Sequence, residues 1–257
     1  MNNLSFLGTG SAFNYNLDNT SAYFCIHNHF YFIDMGERIA RKIITHLSIP
    51  EDASITIFIT HFHADHVASL EPFLVYFAYI KKVKSLQVIT PNSNKLKRYL
   101  SLTSFNLQKV GISDEKTYVD ENVRVISMNA KHIEDSRSYF FYTIKGNFFY
   151  SGDTSILSKK ALTQLKNHQI DMMYHEVAIS SSSFHIGIQT LCDEIPLSLR
   201  NRVVLMHFEN DEIIKIAEKE GFKVNIHLQG LGEYPAIQDK FVNHALDCAK
   251  ELEKELA

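Results

Sequence analysis

Ile55-Thr56-Ile57-Phe58-Ile59 is an apolar run of strand length that stops abruptly at Thr60-His61-Phe62-His63-Ala64-Asp65-His66. A run without polar alternation suits a strand buried on both faces. Four metal-capable side chains within six residues follow at once. In an extended or turning segment His61 and His63 point the same way, because successive side chains alternate. Two imidazoles can thus grip one ion. Asp65 and His66, past the bend and opening a helix, are free to reach a second ion nearby. Imidazole combined with carboxylate suits Zn2+ best, with Mn2+ or Fe as competitors.

A dinuclear site needs further ligands at strand ends on the same edge, and the pattern of strand followed by ligand recurs. His132 comes after an expected strand at 123–128. Asp153 stands in Ser151-Gly152-Asp153-Thr154, straight after a strand at 147–150, where Gly152 permits a tight turn. His207 follows a strand at 203–206. A histidine at a single strand end is usually structural. Three such residues in order after the histidine-rich segment make a dinuclear centre the expectation.

The remaining pattern predicts one domain over 1–257. Short β-branched or aromatic runs at 4–7, 22–26 and 30–33 are separated by Gly, Asn and Asp. Gly36 then opens a helical stretch in which Ile39, Ile43 and Leu47 recur every four residues. A helix is expected over 67–80 and a strand over 86–89. From 117 to 150 the chain again reads as β, with Lys145-Gly146 as a hairpin turn between 139–144 and 147–150. Strands at 172–174 and 203–206 alternate with a helix at 209–220 that ends at Gly221. Phe241, Ala245, Cys248, Leu252 and Leu256 form one apolar stripe on a charged C-terminal helix. Two β-meanders, each followed by helices, predict an α/β fold: an αββα sandwich of two packed sheets with helices outside.

Composition sets limits on partners. Hydrophobic residues make up 45% and charged ones 21%, which argues against disorder, collagen-like repeats and coiled-coil rods. The longest apolar runs, such as 73–80, fall short of the ~20 residues a membrane span needs. The first residues lack the basic region and apolar core of a signal peptide, so a soluble cytoplasmic protein is expected. With 26 basic and 29 acidic residues the net charge is −3, and no global field gathers nucleic acid. Cys25, Cys192 and Cys248 match neither a disulfide framework nor a CxxC site, and are expected reduced and packed as small apolar groups.

The ordered set His61-x-His63-x-Asp65-His66, His132, Asp153 and His207 resembles the metallo-β-lactamase superfamily. That resemblance implies two zinc ions per chain, with Mn2+ as a possible substitute. His61, His63 and His132 would hold one ion; Asp65, His66 and His207 would hold the other, with Asp153 as the bridge. Phe6-Leu7-Gly8-Thr9-Gly10-Ser11-Ala12, Phe32-Ile33-Asp34-Met35-Gly36-Glu37 and Ser151-Gly152-Asp153-Thr154 resemble the ribonuclease Z-like branch. In that likeness Asp34 braces the metal loop, and Glu176 with His185 protonates the leaving oxygen. His175 is expected to be structural. The long arm with which tRNA-processing members clamp tRNA is absent, because only 133–152 separates His132 from Asp153. An armless member resembles phosphodiesterases of small cyclic nucleotides, among them the anti-Pycsar proteins of phages and bacteria.

The expected chemistry is phosphodiester hydrolysis. Two cations neutralise the phosphate and generate a bridging hydroxide at neutral pH. Asp65 orients that nucleophile and takes a proton, and a histidine held protonated by Glu176 supplies the proton of the leaving alkoxide. The expected substrate is a 3′,5′-cyclic mononucleotide such as cCMP, cUMP, cAMP or cGMP. The resemblance also implies a homodimer whose partner loop can close the pocket. The loop at 179–184 offers serines and Phe184 to ribose and base, or is plain connecting chain. Lys81, Lys82, Lys84, Lys95, Lys97 and Arg98 form a basic stretch without an acid, read as a solvated face or a phosphate-steering rim. Three other readings stay open: an RNA 3′-end endonuclease, a non-catalytic nucleotide-binding module, and a lactone or thioester hydrolase.

Overall fold

The structure is a computed structural model and describes residues 4–225. The apolar stripe from Phe241 to Leu256, and Cys248 with it, lies outside the described residues.

Each half of the described chain builds one sheet. Strands β1 (Ser5–Gly8), β2 (Ser21–Ile26), β3 (His29–Ile33), β4 (Ser54–Phe58), β5 (Ser85–Ile89) and β6 (Gly111–Ser113) form the first, in that spatial order. Strands β7 (Thr117–Val119), β8 (Val123–Asn129), β9 (Arg137–Thr143), β10 (Gly146–Tyr150), β11 (Met172–Glu176), β12 (Val203–Met206) and β13 (Lys223–Val224) form the second. Both sheets begin antiparallel and become parallel, at β3–β4 and at β10–β11. Parallel strands need crossovers, and these are supplied by helices. The helices are α1 (Ile39–His46), α2 (Ala64–Val67), α3 (Leu70–Val75), α4 (Ser93–Ser101), α5 (Lys159–Lys166), α6 (Ile188–Glu194), α7 (Leu197–Arg200) and α8 (Asp211–Lys219).

Three apolar layers hold this arrangement together. Between the sheets, Phe24, Tyr31, Phe58, Phe141, Phe148 and Tyr174 are buried against one another. Phe141 and Phe148 stack with centroids 4.6 Å apart, and Phe58 meets Phe141 edge-on at 5.1 Å. A second layer packs Ile55, Ile57 and Ile59 under Ile39, Ile43, Phe73 and Leu96. A third packs Phe149, Met173 and Leu205 under Ala161, Leu191 and Ile213. The strand at 55–59 is therefore buried on both faces, as its composition predicts. Truncating a ring such as Phe58 to alanine costs about 3–5 kcal/mol in a core of this kind. The two sheets with helices on both outer faces are the αββα sandwich of the metallo-β-lactamase fold.

Several elements depart from expectation. The helix expected over 67–80 is broken into α2, α3 and a wide π-type turn at Tyr76–Ile80. Ser69 causes the first break: its N–H donates to Met35 O at 3.1 Å, and its hydroxyl donates to Gly36 O and accepts from Ala40 N. Pro72 lies in the first turn of α3, where its missing N–H is tolerated. The β9–β10 hairpin turns through Ile144 and Lys145, with Gly146 already paired to Thr143. Cys25 and Cys192 are free thiols but only half-buried. Among the described residues no helix is long and apolar enough to cross a membrane.

Candidate metal centre

The parallel strands of both sheets end at one edge, and the chemistry-bearing residues lie just past those ends. β4 leads into Thr60–His66. The Tyr139 hydroxyl donates to Ile59 O at 2.6 Å and Arg137 N donates to Thr60 O at 2.8 Å, so the second sheet holds the histidine segment of the first. Met35 N donates to His66 O at 2.7 Å, which presses the turn after β3 against the same segment. A side chain at Gly36 would collide with Asp65 O, so that position must be glycine. Gly152 takes a left-handed φ of 56° and delivers Asp153 straight from β10. His207 follows β12 with φ 64°, a conformation a non-glycine residue holds only when its surroundings impose it.

The seven residues singled out in the sequence converge as two groups that share Asp153. In the first, His61 Nε2 lies 3.0 Å from His63 Nδ1, and His63 Nδ1 lies 3.1 Å from His132 Nε2. Asp153 Oδ2 is 3.8 Å from both His61 Nε2 and His132 Nε2. In the second, His66 Nε2 is 3.3 Å from Asp65 Oδ2 and 3.5 Å from Asp153 Oδ1. His207 Nε2 stands 3.4 Å from each of the two aspartates.

These separations fit cations. Ligands at zinc-like distances around a tetrahedral ion are about 3.3 Å apart. One nitrogen, His63 Nδ1, faces two other ring nitrogens, and three such atoms cannot all satisfy one another by sharing protons. The buried Nε2 of His66 makes no hydrogen bond. Burial and the neighbouring His66 push the His61 imidazole well below its ordinary pKa, which keeps it neutral and able to ligate. Burial opposes the charge on Asp65, but the facing imidazoles of His207 and His66, 3.4 and 3.3 Å away, prevail and hold that carboxylate well below its usual range.

The outward nitrogens are fixed as well. Asp34, fully buried, accepts from His66 Nδ1 at 2.9 Å, and from the N–H and hydroxyl of Thr60 at 2.7 Å each. It braces the segment, as expected. The Thr60 hydroxyl accepts from His61 Nδ1 at 3.1 Å. His132 Nδ1 donates to Phe184 O at 2.9 Å. Partners of this kind set the tautomer and orientation of ligating histidines.

Glu176 and His185 stand against the second group. His185 Nδ1 is 2.8 Å from Glu176 Oε2, and Glu176 also accepts from Thr154 N. Burial and the Asp153 charge push the Glu176 carboxyl well up. The His185 ring lies between those of His132 and His207, with centroids 5.0 and 5.5 Å away. His175 turns into the core, and burial drives its pKa down to about 4.

The loop that carries His185 is closed by its own serines. Ser182 Oγ accepts from Phe184 N and His185 N, and Ser181 Oγ accepts from Gly187 N at 2.8 Å. Those hydroxyls are engaged within the loop, as connecting chain would have them. The basic stretch is also divided. Lys81, Lys82 and Lys84 precede β5 at the edge away from the centre, whereas Lys95 reaches Phe62, 4.9 Å from its ring, and Asp135 at 3.7 Å. A cleft of about 650 Å³ opens over the centre, walled by His63, Asp65, Glu176 and His185 and extending to Phe13, Glu37 and Glu209. The sequence reading assigned Phe13 and Glu209 no function; a single exposed ring or acid after a turn has no periodic signature.

The fold is shared with human tRNase Z, short form: TM-score 0.64, 18% identity, 86% of this chain and 95% of that one covered. Zn2+-bound PqqB from Methylobacterium extorquens gives a TM-score of 0.64 at 11% identity, covering 86% and 97%. In sequence, the chain is 28% identical over 251 residues to the Anti-Pycsar protein Apyc1 of Bacillus phage BSP38, covering 87% of this chain and 94% of that protein. The family model for Anti-Pycsar protein Apyc1 matches residues 2–229. The chain belongs to the Anti-Pycsar Apyc1 family and carries its fold around a cluster of His and Asp side chains fit to bind metal.

Proposed function

We propose that this protein is a dinuclear metal-dependent phosphodiesterase that hydrolyses 3′,5′-cyclic mononucleotides, and so removes a nucleotide signal of antiphage immunity. The observation that carries this reading is the His185–Glu176 pair, bonded at 2.8 Å and facing the two ligand groups across one cleft. A site that only bound a nucleotide would need no proton donor there. His61, His63 and His132 would hold one ion and Asp65, His66 and His207 the other, with Asp153 belonging to both groups. The ions are zinc, two per chain, replaceable by Mn2+. When bound, such a pair neutralises phosphate charge and acidifies water.

The protein's own groups do the rest. Asp65 orients the attacking water and accepts its proton. Attack on phosphorus breaks one ester P–O bond, and the departing ribose oxygen takes a proton from His185 Nε2. Glu176 fixes Nδ1, so Nε2 points its N–H outward whether the shared proton sits on the acid or on the ring. The product is a linear nucleoside monophosphate. A homodimer and a cytoplasmic site of action belong to the same proposal, on the likeness to the family.

The ring is small, and the cleft suits it. Between His132 and Asp153 the described chain builds only the turn into β9 and the β9–β10 hairpin, with no arm to clamp RNA. The test is turnover of a panel of 3′,5′-cyclic mononucleotides and of precursor tRNA, with and without Zn2+ or Mn2+. Metal-dependent opening of the cyclic nucleotides is expected. Cleavage of the tRNA alone would overturn the reading in favour of an RNA endonuclease.

A further inference from the structure

The cleft is not centred on the ligand groups. Two exposed aromatic rings stand near the ligand groups, and of the two Phe13 lines the cleft. Phe184, 49% exposed, lies beside the first group, its ring edge-on to His132 at 5.8 Å. Phe13, 84% exposed, lines the cleft together with Asp65 and His207 of the second group. Its segment is pinned to the residue after His207: Ser11 N and Asn14 Nδ2 both donate to Phe208 O at 3.0 Å. The open volume lies at the Phe13 end, for Ser11, Ala12 and Phe13 line it and Phe184 does not.

Resting on the function proposed above, we infer that Phe13 is the nucleobase platform: with the cyclic phosphate at the metal centre, the base stacks on the Phe13 ring. The phosphate must sit between the two groups, and His185 occupies the space above them. The cleft left to the non-reacting half of the molecule runs toward residues 11–13, Glu37 and Glu209. There the wall offers an apolar ring held on a fixed loop, which loses little freedom when a flat base covers it. Glu37 and Glu209 line the same cleft, and among its described lining residues there is no lysine or arginine. Such a wall can accept hydrogen bonds from ribose hydroxyl or base amino groups and has no partner for a second phosphate. Phe184 is instead a fixed part of the loop, its carbonyl committed to His132.

Stacking of a base on an aromatic side chain is worth about 1–3 kcal/mol, roughly a 5- to 150-fold change in binding. Steady-state kinetics of the metal-loaded protein would use two substrates: a 3′,5′-cyclic mononucleotide, and the same cyclic ribose phosphate with a methoxy group replacing the base. Phe13→Ala is expected to raise KM for the nucleotide about tenfold or more and to leave KM for the baseless substrate within twofold. Phe13→Tyr keeps the ring and restores the wild-type KM. Phe184→Ala acts on kcat through the His185 loop. Phe13 is almost wholly exposed, so an unchanged melting temperature is expected in its variants. An unchanged nucleotide KM in Phe13→Ala, or an equal rise with both substrates, would overturn the inference while the phosphodiesterase reading stands. A wild-type protein inert toward every cyclic mononucleotide would overturn that reading, and this inference with it.

Discussion

His132 Nδ1 donates to the carbonyl oxygen of Phe184 at 2.9 Å, so a ring of the first ligand group is tied to the residue next to His185. The segment that carries His132 is therefore tied to the loop that carries His185. Ser182 sets the shape of that loop: its hydroxyl accepts the N–H groups of both Phe184 and His185, and its own N–H donates to His185 O at 2.8 Å. Ser182→Ala is expected to lower kcat about tenfold and to weaken metal retention against a chelator. Ser182→Thr keeps the hydroxyl and should recover both. Unchanged metal retention in Ser182→Ala would show that the tie to His132 does not depend on this turn.

Removing the donor should act on turnover. General acid catalysis contributes about 10²–10⁴-fold. His185→Ala is expected to lower kcat by that order with KM within a few-fold, and Glu176→Gln to lower it less. A change confined to KM would make His185 a binding residue.

Asp34 touches no substrate but orients His66. Loss of such a supporting carboxylate costs about 10- to 100-fold in metal affinity. Asp34→Ala should show this in competition with a chelator. Asp34→Asn, which still accepts at one oxygen, should fall between. Equal affinity in all three proteins would remove Asp34 from the centre's support.

A second polar cluster lies at the opposite edge of the sandwich, where acid sensitivity is expected. His29 Nε2 is 2.9 Å from Thr56 Oγ1, and Asp120 Oδ2 accepts from the hydroxyls of Tyr31 and Tyr118 at 2.8 and 2.7 Å. Burial lowers the His29 pKa against the pull of Asp120 and Glu121. Below the unfolded value near 6.5 the unfolded chain takes up a proton that the folded imidazole resists, so stability falls as pH drops from there. Burial raises the Asp120 pKa, but hydrogen bonds from Tyr118, Asn122 N and Tyr31 outweigh it and keep it low; its share is lost only below about pH 4. Melting curves from pH 7.5 to 5 should fall less steeply for His29→Asn than for the wild type. Parallel curves would exclude His29 as the source.

What could be read in the sequence was what periodicity and local spacing encode. The buried run at 55–59, the histidine segment and the three later residues at strand ends are local signals, and the chain brings the seven side chains together. The break at Ser69 could not be read, because it depends on Met35, Gly36 and Ala40 from a distant turn. Helices α4 and α5 had legible starts: Asn92 accepts from Lys95 N and Ser158 from Ala161 N. In α4 Leu96 and Leu100, which face the core, are set among charged residues that hide the apolar period. The tie between His132 and Phe184 joins residues far apart in the chain, and neither carries a mark of it.

The division of the sheets between the two halves of the chain has a last consequence. His61, His63, Asp65 and His66 come from the half that ends at Ser113, and His132, Asp153 and His207 from the half that begins at Thr117. Neither half carries every residue of either group. Cut between 113 and 117, the protein would become two complementary fragments whose reassembly is reported by cation uptake, since an ion can be caged only where both pieces have docked.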